Sequence, residues 1–467
     1  MSRAQKALIV VALFTCCVLM AILLIALLIT RYDIMSPGPI FTMMFLLGTA
    51  ALIVLGNFEL DIHWNTASVI ICACTIAIVG DVFVRAIAHE DVRKYKIANR
   101  LSEKRYGLKV SPKFNFFICV VMVLVFVYTY WDIQAHTDMS LSSSGTLLGA
   151  FREQGSNKSM LSSLMNGFSS AIAYFYSYML IINALLYKPM GKKYWLPIAL
   201  YIPIILVTGA RIQLLFFLGV FAFQFVTIYF VKNERTAASF KKLLAIFIVM
   251  ALIFVAIFYF AGFLTGKSSG FRLADIALVY AGGPIYGLDW FLQRFDSLEH
   301  SGITSFESIH SILSMFGVSI GEANFGGYVI SGSSNYYPIV PERGLYGNVY
   351  TTLVGWIYDF GLIGAFLILF LLCVLFSWMY GKARASKKPC IPILALSILY
   401  IPMLMVSVTD LFSDDLSYKR ILVIIAACVV AQEARKMFIG QIYKRESLKI
   451  ETPVIKSLKG ESCVKTD

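Results

Sequence analysis

The chain has 467 residues, 59% of them hydrophobic and only 14% charged, with a mean hydropathy of +0.77. That balance lies far outside the range of soluble globular proteins. The net charge of +13 does not point to nucleic acid, because the Lys and Arg gather in loops beside apolar runs, where the positive-inside rule of membrane proteins puts them.

Eleven apolar runs follow one another at about 7–30, 34–56, 64–84, 114–131, 161–187, 194–210, 212–231, 242–264, 348–380, 390–408 and 419–434. Most approach the ~20 residues that cross a ~30 Å hydrocarbon layer. Backbone in lipid must satisfy its own polar groups, and the runs lack the period-two alternation of a barrel, so the spans are helices. The expected fold is an all-α polytopic transmembrane bundle of about eleven spans, with twelve as the alternative count. The first run is too long and leucine-rich for a signal peptide and shows no small-residue cleavage site before Arg31, so it reads as a retained span.

Charge orients the bundle. The segment 85–113 carries nine Lys and Arg, and 188–193, 232–242, 382–388 and the tail 435–467 are basic too, which assigns them to the cytoplasm. The organisation is then spans one to eight within 1–264, a large external loop at 265–347, spans nine to eleven within 348–434, and the basic tail. A smaller external loop, 132–160, is rich in Ser and Gly. An eleven-span count puts the N-terminus outside, against the preference of Arg3 and Lys6; a twelve-span count needs one more crossing than residues 31–84 supply. The large loop has no Cys, so it is not a disulfide scaffold. Cys72 and Cys74 face different ways on a helix, which does not suit a metal.

The large loop holds 13 aromatic residues and 13 glycines, a composition unusual for a connector. Long ordered loops commonly carry function. Short helices are expected around 271–296 and 305–317, then an irregular aromatic stretch through Tyr336, Tyr337, Pro338 and Pro341.

Three constellations carry chemistry. In Thr208-Gly209-Ala210-Arg211, an arginine sits between two apolar runs with almost no room for a loop. It either snorkels to lipid phosphate or aims its planar fork at a phosphorylated ligand. The second constellation runs from Pro341-Glu342-Arg343-Gly344 through Asn348 and Tyr350 into a helix with Asp359. Asn348 is placed to cap that helix, whose positive end suits an anion, and Asp359 lies about two turns into the span. Glu342 and Arg343 either pair at the surface or serve the site. The third is Arg272 with Tyr280, Gly282-Gly283-Pro284, Tyr286, Asp289 and Trp290: either a sugar-binding surface or a membrane-interface aromatic belt. The histidines lack ligand spacing, and no Walker loop, dinucleotide fingerprint or nucleophile elbow is present. Asp289, Asp296 and Glu299 are the acidic cluster that would take a divalent metal if one were used; the expectation is that no cofactor is needed.

The chain resembles the O-antigen polymerase family, the bacterial oligosaccharide repeat-unit polymerases. The likeness rests on Ser36-Pro37-Gly38-Pro39, Gly209-Ala210-Arg211, Tyr280-Ala281-Gly282-Gly283-Pro284, and Gly347-Asn348-Val349-Tyr350 running to Asp359-Phe360-Gly361. It is similar also to the O-antigen ligases, which carry a His and a small polar residue, nine residues, then Gly-x-x-Gly. Here Tyr350-Thr351 and Gly361-Leu362-Ile363-Gly364 fit that frame, with Tyr in place of His. The resemblance implies a C-type glycosyltransferase fold in the bacterial inner membrane, with its active face periplasmic. It further implies an inverting transfer of glycan from undecaprenyl pyrophosphate to a second lipid-linked unit, with membrane lipids and a chain-length regulator as partners. In that frame Arg211, Arg343 and Arg272 clamp the pyrophosphate, Tyr350 and Asp359 orient the acceptor hydroxyl, and Glu342 is the accessible base. Tyr280, Tyr286, Trp290 and Asn348 bind substrate. A lipid-linked oligosaccharide flippase and a ligase are the alternatives.

Overall fold

The structure, a computed structural model, describes residues 3–56, 60–87, 110–137, 159–186, 189–208, 211–233, 236–246, 273–294, 337–385, 390–412 and 420–434. The expected short helix at 305–317, most of the loop 132–160, and Asp296 and Glu299 lie outside them. The described chain is about 85% helical, which settles the all-α class. Among the described residues, seven helices are long and apolar enough to cross a membrane: α1 (Arg3–Ile29), α2 (Pro37–Leu55), α3 (Trp64–Ile87), α4 (Pro112–His136), α5 (Met160–Leu186), α7 (Arg211–Lys232) and α10 (Thr352–Ala385); most of the expected span 242–264 lies outside them.

Two of the predicted spans are shorter than their apolar runs. The run 194–210 holds α6 (Leu196–Val207), whose 12 residues reach only ~18 Å. The run 390–408 holds α11 (Cys390–Leu399) and α12 (Ile401–Met405). Pro402, which lacks an N–H and disfavours helix before it, stands at that break. Residues 237–246 and 420–434 are also helical.

Apolar side chains cover the outside of the bundle. Phe116, Phe117, Leu124 and Trp131 on α4 and Leu367 and Leu371 on α10 are exposed, as lipid contact requires. Polar groups are held inside. Midway along the bundle, Gln224 on α7 accepts from Ser177 Oγ at 2.7 Å and donates to Ser397 Oγ at 3.0 Å and Tyr174 O at 3.2 Å. Three helices share this satisfied amide.

The end of the bundle flanked by the basic loops is tied by buried charges. Asp33, between α1 and α2, accepts from Arg384 Nη1 at 2.6 Å and Tyr380 OH at 2.9 Å on α10. Asp81 on α3 accepts from Ser36 Oγ, from Ser377 Oγ at 2.8 Å and from Arg85 Nε at 3.3 Å. Arg85 also donates to Ser36 Oγ at 2.6 Å. Two carboxylates and two guanidiniums cancel, and hydrogen bonds meet both carboxylates, the arrangement that makes burial of charge tolerable. Asp61, at the other end, accepts the Ala12 N–H at 3.0 Å, so α1 begins at the end opposite this network.

One helix is not what its sequence suggests. Within α10, Gly361 takes φ 68° and ψ 178°, a conformation essentially reserved for glycine. Phe412 packs its ring 5.3 Å from that of Trp356 and 5.9 Å from that of Phe376, although a straight helix would hold those two residues ~30 Å apart. The chain therefore bends sharply at Gly361. Residues 362–385 alone are ~36 Å long and suffice to cross. The preceding arm, 352–360, is buried on every side up to Asp359. Asp359 thus stands at the end of a separate internal arm, rather than two turns into the span.

Candidate functional site

At the end opposite the charge network, two segments from the large loop meet. The first comprises α8 (Leu273–Ala277), a π turn (Leu278–Gly282) and α9 (Gly283–Leu292). The second is a hairpin, where an irregular stretch was expected: β1 (Tyr337–Val340) pairs antiparallel with β2 (Leu345–Gly347), Tyr337 opposite Gly347. Alternation explains it, since Tyr337, Ile339 and Leu345 face inward and are buried. Pro341–Arg343 form the turn, and Gly344 closes it with φ 67°, where a side chain would be strained.

Tyr337 is the centre of the assembly. It is fully buried, and its hydroxyl donates to Val349 O at 2.9 Å. Gly287 on α9 and Gly347 on β2 leave the space its ring fills; a Cβ at Gly287 would come within 2.8 Å of Tyr337 Cζ. Its ring lies 4.9 Å from that of Tyr350 and 6.4 Å from that of Trp290. Burial, and then the neighbouring Tyr350, push the Tyr337 hydroxyl's pKa well up.

The predicted site residues sort into three groups around this ring. Glu342 and Arg343 are exposed at the hairpin turn. Arg343 Nη1 lies 4.0 Å from Asp275 Oδ1 on α8, so its carboxylate partner is Asp275 and the pairing with Glu342 is not what forms. Trp290 and Tyr286 are half-buried on α9, and Tyr280 is half-buried in the π turn. Trp290 carries the Arg294 guanidinium 4.5 Å from its ring centre, within cation–π range; burial pushes the Tyr286 pKa up, with the nearby Asp289 adding to it and Arg294 opposing. These rings serve a packed interface more than a membrane belt. Tyr350 and Asp359 are buried. Arg272 and the side chain of Arg211 lie outside the described residues.

Asn348 does not cap the helix. It is exposed, and α10 begins only at Thr352. The cap reading fails because Val349, Tyr350 and Thr351 continue as extended chain that packs under the hairpin. The N–H of Thr352 is taken instead by Val406 O at 3.0 Å, and its hydroxyl donates to Thr409 O at 3.1 Å. This contact also locates α7. Leu404, beside Val406, packs on Gly219, where a Cβ would stand 3.0 Å from Leu404 Cδ1. Gly219 is ~12 Å along α7 from Arg211.

Asp289 was grouped with sugar- or metal-binding residues, and the structure gives it another task. Its Oδ1 accepts from His63 N at 2.7 Å and Thr66 Oγ1 at 2.6 Å, and its Oδ2 lies 2.9 Å from His63 Nδ1. It caps the start of α3 from across the chain. Asp61 beside it accepts from Ile62 N at 2.7 Å and Ala12 N through Oδ1, while its Oδ2 is buried with no partner. Burial raises the Asp61 pKa first; the two backbone N–H groups oppose this, and Asp289 adds to it. The pairings of Asp289 with His63 and Thr66, and of Asp61 with Ala12, join residues far apart along the chain and leave no local mark in the sequence. Among the described residues no group of three His, Cys, Asp or Glu is placed to hold a metal.

No protein-family model, curated protein or solved structure matches this chain.

Proposed function

We propose that the chain is an inverting glycosyltransferase of the bacterial inner membrane that joins undecaprenyl-pyrophosphate-linked oligosaccharide units at the periplasmic face. The acceptor hydroxyl oxygen bonds to the anomeric carbon, the bond from that carbon to the phosphate oxygen breaks, and the polyprenyl pyrophosphate leaves with the electron pair. The hydroxyl proton passes to a base. The observation that carries the reading is the hairpin turn: it holds Glu342 and Arg343 exposed at the end of the bundle opposite the charge network, on the hairpin whose Tyr337 ring packs against Tyr350 and Trp290. A carboxylate there can take the proton, and a guanidinium can meet the charge growing on the leaving group. Losing one such donor typically costs ~100–1000-fold in rate. Arg211 and Arg272 are assigned to the same clamp by sequence. Pyrophosphate is already a good leaving group, so the reading needs no metal, and activity on purified lipid-linked units should survive excess EDTA.

The bend at Gly361 next to buried Asp359 favours a second reading. Carriers hold ions and substrates at broken helices, which would make the chain a flippase for lipid-linked oligosaccharides. Lipopolysaccharide from a deletion strain separates the two. A core bearing a single repeat unit is the polymerase result; a bare core rejects it and leaves flippase or ligase.

A further inference from the structure

At the basic end, the turn between α1 and α2 meets the start of the helix 237–246. Arg31 and Tyr32 both take left-handed backbone angles there, φ 56° and 62°, which side chains seldom adopt. The Tyr32 N–H donates to Leu27 O at 2.6 Å and closes α1. This turn sends three consecutive side chains different ways. Arg31 is exposed, the Tyr32 ring lies 6.0 Å from that of Phe240, and Asp33 is buried in the charge network. Lys241 and Lys242, next to Phe240, are exposed as well. Arg31 and Lys241 thus each adjoin one ring of a touching pair, with neighbouring Cα atoms ~3.8 Å apart, so one ligand can meet both segments.

Among the described residues, none of these three cations has an ion-pair partner. Asp33, the nearest acid in sequence, is held by Arg384 and Tyr380 instead. A general excess of cations at this end accounts for their sign, but not for a left-handed turn that sets one of them beside two others. Just inside the cations the surface becomes apolar: Leu28 is 64% exposed, Ile29 50% and Leu244 44%. Positive charge at the rim followed by apolar side chains is the order in which a phospholipid presents its phosphate and then its acyl chains.

We propose that Arg31, Lys241 and Lys242 form a binding site for the headgroup of an anionic glycerophospholipid in the leaflet at the basic end, with its acyl chains lying over Leu28, Ile29 and Leu244. The planar guanidinium forks onto phosphate oxygens, and the two ammoniums add point charge beside it. The lipid then ties the end of α1 to the helix 237–246, next to the buried Asp33 network. The site stands apart from the transferase reading and would serve a carrier equally.

The test uses the purified full-length protein in a neutral detergent, with unfolding midpoint as the readout. The probes are dioleoylphosphatidylglycerol, dioleoylphosphatidylcholine and inorganic phosphate. A variant combining Arg31→Gln, Lys241→Gln and Lys242→Gln removes the charges, keeps long polar side chains and leaves a non-glycine residue at position 31. Without lipid it should unfold with the wild type, because exposed cations without ion-pair partners hold nothing together. Phosphatidylglycerol should stabilise the wild type, and the variant should need roughly 100-fold more of it for the same shift, about 5-fold for each cation removed. Arg31→Gln alone and the two lysine substitutions together should each carry their share, which keeps the test open if the combined variant fails to fold. Lys192→Gln with Lys193→Gln removes two other exposed cations from the same end and should leave the shift in place. If that control loses as much per charge, only the general positive potential matters and the proposal falls. It falls as well if phosphatidylcholine stabilises the protein equally, which makes the contact purely apolar, or if inorganic phosphate alone gives the full shift, which makes it a free-anion site. Early unfolding of Arg31→Gln without lipid, recovered by Arg31→Lys, would assign the arginine to the fold and also overturn it.

Discussion

The two ends of the bundle differ in how fully their buried carboxylates and hydroxyls are met, although Asp289 at the aromatic end is as well supplied with donors as Asp33 and Asp81. At the basic end, Asp33 and Asp81 are surrounded by Arg85, Arg384, Ser36, Ser377 and Tyr380, with each carboxylate taking several donors. At the aromatic end, Tyr350, Thr351, Trp290 and Asp61 each keep a buried atom without a partner. The first end couples α1, α2, α3 and α10 into one unit. The second leaves polar groups unmet, at a cost in stability that the apolar packing must offset.

The largest test of that contrast is Arg384→Met. Its guanidinium is 4% exposed against an Asp33 that is fully buried, so its loss leaves an acid with fewer donors. Breaking a buried pair costs ~3–5 kcal/mol, and Arg85 at 3.8 Å and Tyr380 keep the expected value near the lower figure. Thermal unfolding in detergent reads it. Adding Asp33→Asn should recover much of the loss. If Arg384→Met unfolds like the wild type yet yields no polymer, the basic end is a working site and the contrast collapses.

Gly361→Ala probes the boundary between the two regimes. A Cβ at φ 68° and ψ 178° is strained by ~1–3 kcal/mol, so a moderate drop in midpoint is expected. The informative readout is the difference between stability and activity. The arm 352–360 begins just after Tyr350, a candidate site residue, so polymer formation should fall further than the lost stability explains. A drop in stability with unchanged polymer would mean that the bend only packs the bundle.

How much of this the sequence carried depends on the range of the interaction. Apolar runs report a local property, and the membrane bundle followed from them directly. The hairpin was obscured because Pro338, Pro341 and Gly344 look like irregular chain; the alternation of Tyr337, Ile339 and Leu345 was the signal available. The bend at Gly361 is not legible, since a required φ leaves no mark in composition. Asp289 was grouped with Trp290 and Tyr286 by proximity in sequence, while its partners His63 and Thr66 lie on the other side of five spans' worth of chain. Arg343 and Glu342 were found as exposed turn residues, because a charged pair beside Pro and Gly announces itself. The unpartnered hydroxyls are not legible as such: Tyr350-Thr351 stands out only by its frame with Gly361, and that frame says nothing of which hydrogen bonds the fold leaves unmade.

The smallest effect is the one that asks most about the aromatic end. Asp61 has its pKa raised in the folded chain, mainly by burial, and keeps Oδ2 buried and unpartnered. A raised carboxyl pKa means that the folded state binds a proton more readily than the unfolded one. Stability then falls as pH rises from the ordinary carboxylate range through the raised value, and recovers on acidification. Asp61→Asn keeps an oxygen for the Ala12 and Ile62 N–H groups while removing the charge next to Asp289. The variant should therefore unfold slightly above the wild type at neutral pH and show a flatter midpoint as pH rises from the ordinary carboxylate range towards neutral. Unfolding midpoints across that range decide it. A variant that loses stability at neutral pH would show that the charged form of Asp61 is wanted, placing it with the paired carboxylates of the basic end and not with the unmet groups beside Tyr337.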